Sequence, residues 1–241
     1  MTIVDIVIPV HNRPRHTEQT IMSLVDNTPK DLYTLNIIND GSQEETGKLL
    51  LALEQRAKSR GVFVRSLAHV FPMSPGYSRN QMCRDITKEQ KRSKYLYHSD
   101  NDVYFTPGWL EKLIGVFEHS ESDNVKVLGA SCHPYLQSSR RIYCDIHSYA
   151  IGIKDAVSGY SQLMTWETWD EFGPFDETMK NAEKKIMGSE DWAFCQKIIK
   201  AGYLVGSIEP ELVIPCGKTN TYGEPATGSE TFKNVPGVLV Y

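Results

Sequence analysis

The sequence YLYHSDNDVYFTPGWL spans Tyr95–Leu110 and joins a run typical of a buried strand to two carboxylates. Its first five residues, Tyr95–Ser99, are mainly aromatic and apolar, and Asp100 and Asp102 follow almost at once. An anion at the end of a buried strand needs a partner cation, a metal ion or several hydrogen-bond donors, because desolvation of an unpaired charge is costly. We therefore expect this strand to end at a functional site.

Strand and helix patterns alternate around this stretch through the first half of the chain. Short apolar runs predict strands, and apolar residues at helical spacing predict helices. The predicted strands are Asp5–Val10, Leu35–Ile38, Val62–Leu67, Tyr95–Ser99 and Val125–Ser131. The predicted helices are Thr17–Val25, Glu44–Arg60, Ser78–Gln90 and Pro107–Glu118. This rhythm predicts an α/β fold with a Rossmann-like, mainly parallel central sheet and helices on both faces.

The second half of the chain has a weaker pattern. A strand over Gly159–Thr165, a helix over Glu190–Ala201 and a last pair of strands within Tyr203–Ile214 are predicted. The residues beyond Cys216 are rich in Gly, Thr, Pro and Glu and predict a tail, a lid or disorder. We interpret the change near residue 132 as a change of role within one domain.

Composition and charge exclude several classes of partner. The 241 residues carry a formal net charge of -4 and no block rich in Lys and Arg, which argues against nucleic acid as the main partner. No apolar run approaches the roughly 18 residues of a membrane helix, and the first ten residues lack the features of a signal peptide. We therefore expect no transmembrane segment and a cytoplasmic location. The five cysteines form no C-x-x-C pair and indicate free thiols in a reducing compartment.

Polar residues follow three of the predicted strands. These ends are His11-Asn12-Arg13, Asn39-Asp40-Gly41-Ser42 and Asp100-Asn101-Asp102. In an open α/β sheet, ligands bind beyond the carboxyl ends of the strands, which lie at one edge. Each cluster alone is also explained by a turn or a helix cap. The three together favour a shared ligand site.

The Asp-x-Asp spacing of Asp100 and Asp102 has a chemical use. Two carboxylates two residues apart can both face one hard cation, Mg2+ or Mn2+, which keeps open positions for substrate phosphates. The metal offsets the charge of the carboxylates and neutralises a diphosphate leaving group.

The order of six motifs resembles the family 2 glycosyltransferases, which are inverting enzymes of the GT-A fold that use nucleotide-diphosphate sugars. The matching segments are DIVIPVHNRP, IINDGS, PGYSRNQMCRD, SDNDVYFTPGWL, WETWDEFGPFDE and GSEDWAFCQKIIKAGY. Each motif alone is weakly specific, and the ordered set carries the resemblance. It implies one GT-A domain over residues 1–241. Residues 1–131 would form the nucleotide-sugar-binding half, 132–216 the acceptor-binding half and 217–241 a tail or lid.

The resemblance implies a nucleotide site at the first two strand ends. Val10, His11 and Asn12 would line the base and the ribose. Asp40 would accept a hydrogen bond from the base edge, as the family's aspartate after the second strand does with uracil. This match favours a UDP-sugar as the donor.

The same resemblance implies roles for residues of the third and fourth motifs. Arg79 and Asn80 match an arginine-asparagine pair that helps to hold the nucleotide. Asp100 would contact the ribose or the water shell of the metal, and Asp102 would bind the metal directly. The implied cofactor is Mn2+ or Mg2+.

Asp191 matches the catalytic base of the family. An inverting transfer needs a base that takes the proton of the acceptor hydroxyl, together with stabilisation of the departing diphosphate. A carboxylate at a helix N-terminus suits the role because the helix dipole tends to keep it ionised. The simpler interpretation of Glu190-Asp191 is an acidic first helical turn after a capping Ser189, and both roles are compatible.

The acceptor, a glycan or glycoconjugate, would lie near the fifth and sixth motifs. Trp166, Trp169 and Glu190 are candidate acceptor contacts, because aromatic faces stack on sugar rings. Tryptophans at such positions are equally typical of a protein core, and for Trp192 a core position is favoured. Polysaccharide biosynthesis is the expected setting.

The sequence departs from the family pattern at the metal. Many GT-A enzymes use a C-terminal histidine as a further ligand, whereas no histidine follows His147 here. Cys216 lies near the expected position, but a thiolate is a poor ligand for Mg2+. Glu209, Glu211 and Glu224 are the candidate carboxylates for an assisting ligand. The short tail contains no obvious second domain or membrane helix, which favours a soluble acceptor or a partner that supplies the membrane.

Three alternatives are weaker. A sugar nucleotidyltransferase usually has a glycine-rich loop after its first strand, whereas this chain has His11–Arg15 without glycine. A retaining GT-A transferase would not need Asp191 as a base. A non-catalytic GT-A module would bind a nucleotide or a glycan, but the presence of Asp40, Arg79, Asp102 and Asp191 argues against it.

Overall fold

The computed structural model describes residues 2–89, 92–133, 136–144, 149–177 and 190–217. Its strands are β1 (Val4–Val10), β2 (Tyr33–Asp40), β3 (Phe63–His69), β4 (Tyr95–Ser99), β5 (Val103–Phe105), β6 (Val125–Gly129), β7 (Arg140–Tyr143), β8 (Ala150–Ile153), β9 (Ser161–Thr165), β10 (Leu204–Glu209) and β11 (Val213–Pro215). Its helices are α1 (Pro14–Asn27), α2 (Glu44–Ser59), α3 (Pro75–Lys88), α4 (Trp109–His119), α5 (Trp166–Phe172) and α6 (Glu190–Lys200).

Nine of these strands form one sheet, in the order β3-β2-β1-β4-β9-β6-β10-β8-β7. Strands β1 to β4 are parallel to one another, with Val10 beside Asn39 and Val7 beside His98. Strand β9 is antiparallel to β4 and β6, and the β7–β8 hairpin joins β10 in antiparallel fashion. The predicted α/β fold is confirmed, with a parallel first half and a mixed second half.

Two apolar cores lie on the two faces of the sheet. Along β1, Ile6 and Ile8 pack in one core with residues of α1, α2 and α4, and Val7 packs in the other with α3, α5 and α6. Every residue of β1 is buried, as expected of a parallel strand covered on both faces. Helices therefore lie on both faces, as the sequence predicts.

Several elements differ from the sequence-based expectation. The short strands β5, β7 and β8 and the helix α5 were not predicted, because three to seven residues carry little periodicity. The two last strands exist but do not pair with each other. Strand β10 pairs with β6 and β8, whereas β11 pairs with β5 in a separate two-stranded sheet. Pairing with β5 brings the residues after β11 back to Asp102.

All five cysteines are free and buried. Within the ranges that the structure describes, no helix has both the length and the apolar character needed to cross a membrane. The predicted tail beyond Gly217, together with Ser189 and Glu224, lies outside the described residues.

Candidate functional site

The three polar strand ends meet at one edge of the sheet because β2, β1 and β4 are adjacent and parallel. The His11 ring Nδ1 lies 2.8 Å from the carbonyl oxygen of Asp40. The side chain of Asn101 donates to the carbonyl oxygen of Asn12 at 3.2 Å. The expected juxtaposition of these ends is therefore present in the structure.

Asp40 is buried at the end of β2 and holds the loop that follows β3. Its Oδ1 accepts a hydrogen bond from the backbone N–H of Met73 at 2.9 Å and lies 2.8 Å from Nδ1 of His69. The neighbouring Gly41 has a φ of +62°, and a Cβ there would lie 2.3 Å from the backbone nitrogen of Pro72. Glycine is therefore required at this turn, since a side chain would collide with the loop.

The loop after β1 has an unusual backbone. Asn12 and Arg13 both have positive φ, 56° and 59°, although neither is glycine. The conformation is held by residues that follow β2. The backbone N–H of Asn12 donates to Oγ of Ser42 at 2.9 Å, and its side-chain oxygen accepts from the N–H of Gln43 at 2.8 Å. Arg13 then directly precedes α1.

Asp102 is paired with Arg13, whose Nη1 donates to its Oδ2 at 2.5 Å. Burial and the neighbouring Asp100 raise the pKa of the Asp102 carboxyl to about 6, with Arg13 opposing the shift. The backbone N–H of Cys216 donates to the carbonyl oxygen of Asp102 at 2.7 Å. A Cβ on Gly217 would lie 2.6 Å from Oδ2 of Asp102, so the chain after β11 lies directly against this carboxylate.

The donor set fits a hard divalent cation only in part. Within the described residues, no group of three or more His, Cys, Asp or Glu side chains is placed to hold a metal ion. Asp102 and Asp100 supply carboxylate oxygens, which suit Mn2+ or Mg2+ when substrate phosphates and water complete the coordination. These two residues are compatible with that kind of site and not with a metal cage built by the protein alone.

The other predicted ligand candidates are engaged elsewhere or chemically unsuited. Burial, reinforced by Asp102, raises the pKa of the Cys216 thiol to about 12, so the group is a neutral thiol. Glu209 accepts from Nε of Arg141 at 2.5 Å and from Oγ of Ser138 at 2.8 Å, at the β7–β8 hairpin. Glu211 accepts from the backbone N–H of Cys132 at 3.3 Å.

Arg79 lies in α3 with about 2% of its side chain exposed, and it joins three parts of the site. Its guanidinium donates to the carboxylate of Asp100, to Oε1 of Glu190 at 3.3 Å and to the carbonyl oxygen of Gly159 at 3.1 Å. Burial raises the pKa of the Glu190 carboxyl, and the charge of Arg79 opposes that rise. Arg79 thus positions Asp100 and Glu190 relative to each other.

Asp191 lies in the first turn of α6 and is fixed by backbone donors. Its Oδ2 accepts from the N–H of Gly159 at 2.7 Å, and its Oδ1 accepts from the N–H of Trp192 at 2.7 Å. Burial raises the pKa of the Asp191 carboxyl, and these two N–H groups oppose the rise. Because Gly159 also accepts from Arg79, a short chain of hydrogen bonds connects Asp191 to Asp100.

The structure does not bring Trp166 to this edge of the sheet. Strand β9 is antiparallel to β4 and pairs Thr165 with Tyr95, so the residue after β9 lies at the opposite end of β4 from Asp100. The indole Nε1 of Trp166 donates to Oδ2 of Asp5 at 3.0 Å, near the start of β1. We therefore leave Trp166 out of the proposed acceptor site.

Trp169 and Asn80 are structural in this chain. Trp169 is buried and packs against His98, Phe175 and Phe194 at ring-centroid distances of 5.1, 5.2 and 5.8 Å. The side chain of Asn80 donates to the carbonyl oxygen of Phe175 at 2.9 Å and accepts from its N–H at 3.0 Å. These contacts hold the segment after α5 against α3, so neither side chain lines the strand ends.

Gly159 and Gly217 lie directly against charged side chains of the candidate site, and sequence reasoning did not find them. A Cβ on Gly159 would lie 3.2 Å from Oδ2 of Asp191 and 3.3 Å from Nη1 of Arg79. Both glycines allow backbone to approach a charged side chain closely. Isolated glycines outside a glycine-rich loop carried no signal for this role.

The model of glycosyl transferase family 2 matches residues 5–143, which is more than half of the chain, and the chain belongs to that family. The family predicted from the motifs is thereby confirmed, and the first four of the six motifs lie within the matched residues. A curated relative, an uncharacterized glycosyltransferase (RP339) of Rickettsia prowazekii strain Madrid E, is 23% identical over 191 residues, which cover 74% of this chain and 55% of the relative. The chain thus spans about half the length of that relative.

Solved glycosyltransferase structures share the fold. The mannosyltransferase PcManGT of Pyrobaculum calidifontis, in complex with GDP-Man and Mn2+, matches with a TM-score of 0.61 and 12% identity, over 85% of this chain and 56% of that one. S. aureus TarS 1-349 with UDP-GlcNAc matches with a TM-score of 0.60 and 14% identity, over 88% and 57%. GalNAc-T7 with UDP, GalNAc and Mn2+ matches with a TM-score of 0.62 and 15% identity, over 86% and 43%. The predicted GT-A fold is confirmed.

Proposed function

We propose that this chain transfers a sugar from a nucleotide-diphosphate donor, a UDP-sugar, to a hydroxyl of a glycan or glycoconjugate, with inversion at the anomeric carbon. The single observation that carries the proposal is the hydrogen-bonded chain from Asp191 through Gly159 and Arg79 to Asp100. It joins the candidate base to the carboxylate pair at the end of β4. The nucleotide-sugar complexes among the structural neighbours support the donor class.

The nucleotide would bind at the ends of β1 and β2. Val10, His11 and Asn12 would line the base and ribose, with Asp40 on the base edge. The contacts of His11, Asn12 and Ser42 support this assignment, since they fix the loop before a ligand arrives. A preordered loop lowers the entropy lost on binding.

Asp102, with Asp100 beside it, would hold Mn2+ or Mg2+. When bound, the metal supplies charge neutralisation for the diphosphate leaving group. Two structural neighbours that contain Mn2+ support this choice of cofactor. Arg79 pairs with Asp100 and holds its side chain in place, so that the protein contributes an ordered anionic surface.

Asp191 would act as the base. The acceptor oxygen forms a bond to the anomeric carbon, the bond from that carbon to the diphosphate breaks with its electron pair, and the acceptor proton passes to Asp191. The two backbone N–H groups on Asp191 fix its orientation, and burial makes the carboxylate more basic than an exposed aspartate. Glu190, adjacent to the base, would contact the acceptor. The setting would be polysaccharide or glycoconjugate synthesis, and five free buried cysteines favour a reducing, cytoplasmic location.

Calorimetric titration tests the donor site directly. UDP, GDP and dTDP are titrated into the purified chain with and without Mn2+, and the series is repeated on Asp102→Asn and on the matched control Asp170→Asn. Asp170 lies in α5 with 54% of its side chain exposed, in an ion pair with Arg92. We expect UDP to bind most tightly of the three nucleotides, and only when Mn2+ is present. This metal-dependent binding of UDP should be lost in Asp102→Asn and kept in Asp170→Asn. A folded wild-type chain that binds no nucleotide would overturn the proposed function.

The pH dependence of transfer provides a second prediction. A base acts only when deprotonated, so transfer falls as pH drops through the pKa of Asp191. Since burial raises that pKa, the acidic limb of kcat should lie at higher pH than the ordinary aspartate value. The measurement is kcat against pH at saturating donor and metal. A profile that is flat down to the ordinary range would contradict the assignment of a buried base.

A further inference from the structure

The guanidinium of Arg13 lies against Asp102, the carboxylate that is proposed to bind the metal ion. Its Nη1 donates to Oδ2 of Asp102 at 2.5 Å, and the two side chains are only 15% and 23% exposed. Asp100 has its own partner in Arg79. Each carboxylate of the Asp-x-Asp pair is therefore matched with one arginine, and the pair formed by Arg13 and Asp102 is neutral as a unit.

The backbone conformation of the loop after β1 places Arg13 beside Asp102. The left-handed conformations of Asn12 and Arg13 turn the chain sharply between β1 and α1. Ser42, Gln43 and Asn101 all hydrogen-bond Asn12, from the ends of β2 and β4. An Arg in the left-handed region is uncommon and needs such external support, so the turn is held in place by the site itself.

A divalent ion and the guanidinium of Arg13 compete for the same oxygen. When an ion takes Asp102, the guanidinium needs a new anionic partner in the same corner of the site. Asp102, the divalent ion and Arg13 together then carry a net charge of about +2, whereas Asp102 and the ion without Arg13 would carry about +1. The diphosphate of a sugar nucleotide brings about two negative charges, which match the larger value. Guanidinium groups bind phosphate oxygens strongly through charge-assisted hydrogen bonds.

We propose that Arg13 is a diphosphate-binding residue that exchanges partners during donor binding, leaving Asp102 to the metal and pairing with the diphosphate. The inference rests on the proposed function and adds to it a residue to which neither the motif resemblance nor the comparisons give a role. This exchange makes the metal and the diphosphate bind cooperatively. The metal binds Asp102 and frees Arg13 for the diphosphate, and the diphosphate binds Arg13 and frees Asp102 for the metal.

The test compares wild type with Arg13→Met, Arg13→Lys and the control Arg15→Met, an exposed arginine in the first turn of α1. Mn2+ alone is titrated by electron paramagnetic resonance, and UDP and UMP by calorimetry with Mn2+ present. The titrations are run at a pH of about 8, above the pKa of about 6 that Asp102 has beside Arg13. None of these readouts depends on turnover.

Removal of the competing cation should strengthen binding of Mn2+ alone in Arg13→Met by about fivefold, the scale of one partly exposed ion pair. The same variant should bind UDP about tenfold more weakly, through the loss of a charged hydrogen bond, and UMP with a smaller loss. Arg13→Lys should retain part of the UDP affinity, and Arg15→Met should match wild type.

Opposite shifts for Mn2+ and UDP distinguish partner exchange from a general loss of structure, which would weaken both. If Arg13→Met binds UDP as tightly as wild type, or if Mn2+ and UDP weaken together in Arg13→Lys as well, the proposal is overturned. If wild type itself binds no nucleotide, the proposed function fails first, so the two failures are distinguishable. Should Arg13→Met not fold, the same comparison between Arg13→Lys and wild type decides, since lysine keeps the charge but loses the paired donor geometry.

Discussion

Replacing Asp191 with asparagine is expected to lower kcat for sugar transfer by about 10²–10⁴-fold, the range that a positioned general base contributes. Nucleotide affinity should stay close to that of wild type, because Asp191 lies on α6 and contacts the backbone of Gly159 and Trp192, whereas the proposed nucleotide contacts lie at the ends of β1 and β2. The measurement is steady-state transfer combined with calorimetric titration of UDP and Mn2+. Asp170→Asn serves as the matched control on the exposed face of α5.

The structural effect of the substitution must be separated from the chemical one. Asp191 accepts two backbone N–H bonds with its two oxygens, and asparagine can accept only one of them while its NH2 group faces the other donor. Asp191→Ala removes that conflict, and added formate should restore part of its transfer rate if the missing function is proton acceptance. The acidic limb of the pH profile should also disappear from both variants. Transfer at wild-type rates in either variant would rule Asp191 out as the base.

Long elements were predictable because their patterns are local. The buried run of β1 and the apolar spacing of α2 each extend over seven or more residues, so the period alone identifies them. The three residues of β5 and the four of β7 contain at most two repeats of the strand alternation, which is too few to identify a strand. They become strands only because partners arrive from distant parts of the chain, β11 and β8 respectively.

The location of the site was predictable for a topological reason. Parallel neighbouring strands place their carboxyl ends at one edge, so the clusters after β1, β2 and β4 had to meet. The position of Trp166 could not be predicted, because it depends on β9 running antiparallel to β4. This direction places the residue after Thr165 at the end of β4 that lies opposite Asp100. The local sequence pattern does not indicate whether a strand will run parallel or antiparallel to its neighbours in the sheet.

The ion pair of Arg13 and Asp102 could not be predicted from the sequence either. It depends on positive φ at two consecutive non-glycine residues, a conformation that asparagine tolerates and arginine rarely adopts. The support comes from Ser42 and Asn101, which are distant in the chain. Such strain is determined by tertiary contacts, so the pairing follows only once the strand ends have been assembled.

Replacing Arg79 with leucine is expected to destabilise the fold by about 3–5 kcal/mol at neutral pH, because it leaves a buried carboxylate without its counter-charge. Arg79 and Glu190 have side chains that are only 2% and 7% exposed. The control is Arg84→Leu on the same helix. Its partner Glu177 and Arg84 itself are 34% and 46% exposed, so the loss there should stay within about 0.5 kcal/mol. Urea denaturation of both variants measures the difference.

The destabilisation by Arg79→Leu should depend on pH with a definite sign. Burial already raises the pKa of Glu190, and loss of Arg79, which opposes that rise, raises it further in the folded state only. The folded variant then binds more protons than the unfolded chain, so its stability falls as pH rises through the raised pKa and is regained as pH is lowered. Arg84→Leu should show no comparable trend, since its carboxylate partner remains in water.

A double variant identifies the buried carboxylate as the cause. If an unpaired Glu190 produces the loss, then Arg79→Leu combined with Glu190→Gln should be more stable than the sum of the two single changes predicts, by about 1 kcal/mol or more. The pH dependence should shrink in the double variant because no titrating group remains at that position. Additive losses that do not vary with pH would instead indicate that Arg79 contributes through packing against Phe175, whose ring lies 5.8 Å from its guanidinium carbon. In that case Arg79 would not be the electrostatic link between Asp100 and the helix that carries Asp191.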